Sequence, residues 1–245
     1  MRGHETFRNA PIVEATIDLT ARHRPVLKVA DLDRYGALGA SAFPKHDRRR
    51  PLVTSLTTGE DSPGLKSSRS DVVEFRSDDD KYIAQVRRDG FAFTRLSPYT
   101  SWNDFSEQTL SAWSIYASTF NPKHVTNISL RYFNRIVLPN AVRVKDYFRT
   151  RVIFPSSLPQ NVIDNFFAFT LAPVRSMRGS VSFFIDHSSP GSDDIRVVFN
   201  IIVDTPLNLE LKTNAEILRT LNKLRAFKNK IFFQSITEQL KERFR

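Results

Sequence analysis

Apolar and polar residues alternate most clearly at the middle of the chain, in Asn127–Pro139, NISLRYFNRIVLP. Successive side chains of a strand point to opposite faces. Ile128, Leu130, Tyr132, Asn134, Ile136 and Leu138 therefore share one face, which is mostly apolar. Ser129, Arg131, Phe133, Arg135 and Val137 share the other, which interleaves two arginines with an aromatic. The same period of two predicts a first strand over Ala10–Leu19, with Ala15, Ile17 and Leu19 alternating against Glu14, Thr16 and Asp18.

Between these strands the pattern changes. Val29, Leu32, Tyr35, Leu38 and Ala42 recur at helical spacing and predict a helix over 29–41, which Gly36 and Gly39 weaken. Pro44–Arg50 reads as a basic loop, Pro51–Thr57 as a strand, and polar Thr58–Ser70 as a mobile loop or insertion. Val72–Arg76, Tyr82–Arg87 and Phe91–Leu96 form a meander with Asp/Gly turns. Ser101 caps a helix whose stripe is Trp102, Phe105, Trp113, Tyr116, Ala117 and Phe120, and Asn121-Pro122 stops it.

After the central strand, Val142–Phe148 reads as a short helix and Arg149–Phe154 as a short strand. Asn165–Val174, Gly179–His187 and Ile195–Asp204 are longer strands. Thr213-Asn214-Ala215-Glu216 is a capping box that opens a last helix running to the C-terminus. Leu221, Leu224, Lys228 and Ile231 define its early face, and Phe232, Ile236, Leu240 and Phe244 a rotated one. That rotation predicts a bend near Lys230.

Written as elements, residues 1–125 and 126–245 each read as strand, helix, four strands, helix. The fold class is α+β: two tandem β-α-β4-α units packed as one body, with antiparallel sheets and helices on one face. The arrangement is like the TATA-binding-protein saddle or a helix-grip fold. Identity between the halves is negligible, so the repeat is one of pattern. A single mixed sheet with helices on one face is the alternative. An analogy at this level carries no function.

Composition narrows the chemistry. The chain has no cysteine, which excludes disulfides, thiolate metal sites and cysteine nucleophiles. The N-terminus lacks a signal peptide's apolar core and no apolar run is long enough to span a bilayer, so a cytoplasmic, membrane-free protein is expected. Net charge is +10. Residues 1–125 hold 18 basic against 16 acidic side chains; residues 126–245 hold 18 against 10. A basic second half suits phosphate-rich partners, and equally serves solubility.

No nucleophile elbow, zinc-protease motif, Walker loop or dinucleotide fingerprint occurs, and the five histidines lack metal-ligand spacing. No catalytic residue, metal or cofactor is therefore assigned. Asp186-His187-Ser188-Ser189 contains acid–base residue types, but adjacent strand residues face opposite ways and the segment reads as a hairpin turn. Asp78-Asp79-Asp80 lacks the spaced ligands of a calcium loop and reads as a solvated turn. The basic features carry more. Arg131 and Arg135 flank Phe133, while Arg219, Lys223 and Lys230 fall on one side of the last helix. Basic groups track phosphates and aromatics on an open sheet stack bases or wedge between them, so these six are the candidate nucleic-acid contacts. Val198, Ile202 and Phe184 face away from the expected helix side, leaving an apolar sheet face that something must cover.

APIVEA near the start, SPYTSW before the middle helix, LRYFNRIVLP at the centre and LRAFKNKIFFQSIT in the last helix resemble a sporadically distributed bacterial family of uncharacterised proteins. The resemblance spans nearly the whole chain. It implies no catalytic residues. Its patchy distribution implies an accessory role alongside mobile or defence loci. The leading expectation is a non-enzymatic protein that binds nucleic acid through its basic half. The alternatives are a protein-interaction module for a neighbouring gene product or a homodimer, and a small-ligand binder of helix-grip type.

Overall fold

The computed structural model describes residues 7–49, 52–59, 62–69, 71–139, 143–153, 155, 157, 164–174, 176–186, 194–205 and 209–245, with only the backbone at 52–59, 62–69, 164–165 and 186. The strands are β1 (Ile12–Arg22), β2 (Lys45–Arg49), β3 (Leu52–Gly59), β4 (Ser62–Arg69), β5 (Val72–Arg76), β6 (Tyr82–Arg87), β7 (Gly90–Leu96), β8 (His124–Pro139), β9 (Asp164–Val174), β10 (Met177–Asp186) and β11 (Asp194–Asp204). The helices are α1 (Tyr35–Gly39), entered through a 3-10 turn over Val29–Arg34, α2 (Trp102–Phe120), α3 (Val144–Tyr147), α4 (Asn214–Ser235) and α5 (Glu238–Glu242).

Nine strands form one antiparallel sheet in the order β2-β5-β6-β7-β1-β8-β11-β10-β9, and β3 pairs only with β4. The fold is α+β. At the sheet's centre β1 and β8 pair along most of β1, from Ile12↔Asn134 to Arg22↔His124. Gly90 makes the neighbouring β1–β7 contact feasible: a Cβ there would sit 2.2 Å from the carbonyl oxygen of Leu19, a backbone atom that cannot swing away.

The alternation read from the sequence decides which face meets the helices. Ala15, Ile17 and Leu19 of β1, Leu130, Ile136 and Leu138 of β8, and Val197, Phe199 and Ile201 of β11 are fully or almost fully buried. They pack against α2 and α4, whose inward residues include Phe105, Trp113, Tyr116, Leu221, Leu224 and Phe232. Local chemistry sets the helix ends. Ser101 Oγ accepts the backbone N–H of Asp104, and Thr213 Oγ1 accepts that of Glu216 while the Glu216 carboxylate accepts the N–H of Thr213. Asn121, in the left-handed region at φ 45°, closes α2.

Several expectations need correction. Lys45–Arg49, read as a basic loop, is an edge strand whose five residues are all exposed. Within Thr58–Ser70, read as a mobile loop or insertion, lies β4, which pairs with β3 in a two-stranded sheet apart from the main one. Arg149–Ile153 is not a strand, so three described strands, rather than four, follow α3 before α4. The last helix runs unbroken through Lys230 but does not reach the C-terminus. It stops at Ser235, Ile236 bridges to Phe148, and Thr237 caps a separate α5. No described helix is long and apolar enough to cross a membrane.

Candidate functional site

The sheet face away from the helices has two unlike parts. On the β2–β1 side it is mostly part-buried and its charges are internally paired. Glu74, 6% exposed, accepts from Gln85 and is paired with Arg76 and Arg49. Arg87 donates two 2.7 Å hydrogen bonds to the Asp18 carboxylate. A groove of about 380 Å³ runs here, lined by residues that include Glu14, Asp18, Glu74, Thr94 and Arg131. Its three carboxylates are each matched by arginine: Glu74 by Arg76 and Arg49, Asp18 by Arg87 and Glu14 by Arg131.

On the β8–β9 side the face is open. Strand register fixes what lies beside what. Arg135, Val198, Phe184 and Phe166 stand directly opposite one another across β8, β11, β10 and β9. Phe133, Asn200, Ser182 and Ala168 form the adjoining row, and Val137 stands opposite Arg196. Phe166 is 69% exposed, Val137 46% and Phe184 42%, with Arg135 and Arg196 also exposed. The sheet has brought three aromatics from three strands onto one surface, with two accessible guanidinium groups among them. Only Phe133 and Arg135 of these were singled out from sequence as nucleic-acid contacts. Arg196 and Phe166 were missed, although each occupies an alternating position that a strand pairing would have aligned with Val137 and Phe184.

Arg131 is more committed. Its Nε donates to Asn200 Oδ1 at 3.2 Å, its guanidinium lies 3.8 Å from the Glu14 carboxylate, and it sits 5.7 Å from the Phe133 ring centroid. The side chain of Arg135 has no hydrogen bond or ion pair among the described residues. Arg219, Lys223 and Lys230 lie elsewhere. They are exposed on the outer side of α4, whose inner side packs on β8 and β11, so the sheet separates them from Arg131, Phe133 and Arg135. Six candidate contacts thus fall on two surfaces facing opposite ways.

The other candidates resolve simply. Asp79 accepts from the Ser77 hydroxyl and the Lys81 N–H, which hold its carboxyl well below the usual range, and Asp80 pairs with Lys45. Asp78–Asp80 is a satisfied turn, and no group of three metal-ligating residues occurs among the described residues. Asp186–Ser189 lies outside the described residues apart from the Asp186 backbone. No family model matches the chain, and no curated protein matches it.

Proposed function

We infer that the chain is a binding rather than a catalytic protein of an accessory bacterial system, and that it holds single-stranded nucleic acid on the open sheet face of its second half. The observation that carries this reading is the exposed row Arg135–Val198–Phe184–Phe166, with Phe133 and Arg196 beside it. Phe184 and Phe166 stand opposite one another on adjacent strands and Phe133 lies on the same face, so the surface offers ring faces on which unstacked bases can lie. Arginines in the same field neutralise phosphates and stack on bases in turn.

The strand order supports a finer reading of the architecture. Outward from the β1–β8 pair, each half places its last strand next, then its earlier ones in reverse. Two tandem units, β-α-β4-α and a shortened β-α-β3-α, joined first strand to first strand give this order. We read this as a plan like that of the TATA-binding-protein saddle, with nucleic acid proposed for the helix-free side.

The double substitution Arg135→Ala/Arg196→Ala is expected to weaken binding of a short single-stranded oligonucleotide by at least about tenfold at low salt. It should also reduce the steepness of log K against log salt by about 1.4, two phosphates' worth on a single strand. Alanine at Arg219, Lys223 and Lys230 removes one more charge from the opposite surface and should leave both quantities nearly unchanged. Equal losses from the two sets, or no oligonucleotide binding at low salt, overturn the reading.

The apolar share of the same face, Val137, Val198, Ile202, Phe166 and Phe184, favours a second reading: a protein partner, or a second copy of the chain. That reading expects an association insensitive to salt and abolished by Phe184→Arg, as sedimentation of the purified chain would reveal.

A further inference from the structure

A second concavity lies on the opposite, helix-bearing side of the sheet, where the start of α2, the middle of α4 and β8 meet under the segment Phe7–Ile12. Its volume is about 320 Å³, at the small end of ligand pockets. Its walls are aromatic: Tyr99, Trp102, Tyr132, Phe232 and Phe233. Its charges all have one sign, since Arg8, Arg225 and Lys228 line it and no aspartate or glutamate does.

Lys228 is the unusual member. It occupies the apolar stripe of α4 between Leu224 and Ile231, is 9% exposed, and holds its ammonium 3.8 Å from the centroid of the Tyr132 ring. It makes no hydrogen bond or ion pair with any described residue. A lysine buried without a counter-charge is costly. The Tyr132 ring face offsets part of that cost through a cation–π contact, and no charged group described around it offsets the rest. Arg225, one turn earlier on α4, is a second cation with its guanidinium over Trp102 at 5.4 Å. Tyr132 on β8 shares a 2.9 Å hydroxyl contact with Tyr99 of the loop before α2, and Arg8 approaches from the N-terminal segment. Burial keeps both tyrosines protonated, Tyr99 being pushed up to about 12 and Tyr132 well above its ordinary value. Among the described residues no carboxylate lines the cleft.

We propose that this cleft binds a small organic anion, a carboxylate or phosphate ester with a flat apolar body. The anionic head sits between Lys228 and Arg225 and the body lies against Tyr99, Trp102 and Phe232. Three cations with no acid select the head, and aromatic walls select the body. Burial, followed by Arg225, pushes Lys228 down to about 7 in the empty cleft, so an arriving anion draws a proton onto it near neutral pH. The site is independent of the sheet-face reading, because the two lie on opposite sides of the sheet.

The test is calorimetric titration at pH 7 with phenyl phosphate and benzoate, using phenol as the neutral probe of the same body. Lys228→Met keeps the stem's volume, removes the buried charge and is expected to fold. At least one anion should bind saturably with proton uptake, seen as a heat that depends on the buffer's ionisation enthalpy, and phenol should bind at least about tenfold more weakly. The variant should bind that anion roughly 10- to 100-fold more weakly and take up no proton. Absence of saturable binding by both anions, equal binding of phenol, or unchanged affinity in the variant overturns the proposal.

Discussion

Replacing Phe199 by alanine should lower the free energy of unfolding by about 3–5 kcal/mol, the usual cost of emptying a buried phenylalanine site. Phe199 is fully buried on β11 and sits inside a column of parallel rings. Phe183 lies at 4.3 Å and 12°, Phe232 at 5.7 Å and 10°, and Phe167 continues the column beyond Phe183 at 4.9 Å. Phe148 meets Phe199 edge-on at 6.3 Å. The column ties the sheet to α4, so truncation leaves a void bounded by a helix on one side and strands on the other, and neither can close it alone. A loss of this size is a large share of the 5–15 kcal/mol typical of a whole domain. For a chain of this length it shifts the thermal midpoint by about 10 °C. Phe184→Ala, one residue along β10 from Phe183 but facing the open side, should cost about 1 kcal/mol or less. Urea midpoints of the two variants give the comparison. Similar destabilisation in both would mean that the open face is covered, and would remove the surface on which the nucleic-acid reading depends.

That contrast between Phe183 and Phe184 was available from alternation alone, and so were most of the strands of the main sheet. Strands with one buried face, such as β1, β8 and β11, alternate because burial sorts their residues. Helices α2 and α4 carry caps at Ser101 and Thr213 whose chemistry is local. What alternation could not reveal were strands with nothing to sort. Lys45-His46-Asp47-Arg48-Arg49 pairs with β5 along its edge but is exposed throughout, so its sequence carries no two-residue period. Ser62–Arg69 contains Pro63 and Gly64, which argue against a strand, yet its backbone pairs with β3. The break after Ser235 was misplaced because it follows from a tertiary contact, the Ile236 bridge to Phe148.

The candidate sites were legible to different degrees for the same reason. Arg131, Phe133 and Arg135 are neighbours on one strand, so their shared face follows from period two. Their separation from Arg219, Lys223 and Lys230 depends on which side of the sheet α4 takes, which composition does not encode. The cleft on the helix side is built from Tyr99, Tyr132 and Lys228, three segments far apart in sequence. Its one local signal was a lysine standing on an apolar helical stripe, and a stripe alone does not say whether the amine reaches water. Here the amine faces the cleft with little exposure and no counter-charge among the described residues, and the consequence is measurable.

Lys228→Met should stabilise the protein at neutral pH by an amount on the order of a few kcal/mol, and the gain should shrink as pH rises. A lysine ordinarily titrates at 10.5, and burial and Arg225 bring this one to about 7 in the folded chain. Between those values the unfolded chain carries a proton on Lys228 that the folded chain does not. Stability of the unsubstituted protein therefore rises with pH across that window, by up to about 1.4 kcal/mol for each pH unit, and is lost as pH falls toward 7. Methionine carries no such proton, so the gap between the two proteins is widest near pH 7 and narrows by pH 9.5, below the range in which Tyr99 and Tyr132 titrate. Urea unfolding of both proteins at pH 7 and 9.5 reads the difference. A gap that does not change with pH would mean that Lys228 keeps its proton in the folded chain as it does in the unfolded one. Phenyl phosphate then links this penalty to the site: an anion that binds only the folded state should stabilise the unsubstituted protein in proportion to its saturation and leave Lys228→Met almost unmoved. A lysine that weakens the empty fold and is relieved by a ligand is a binding residue. A lysine that weakens the fold with or without that ligand is only a packing fault.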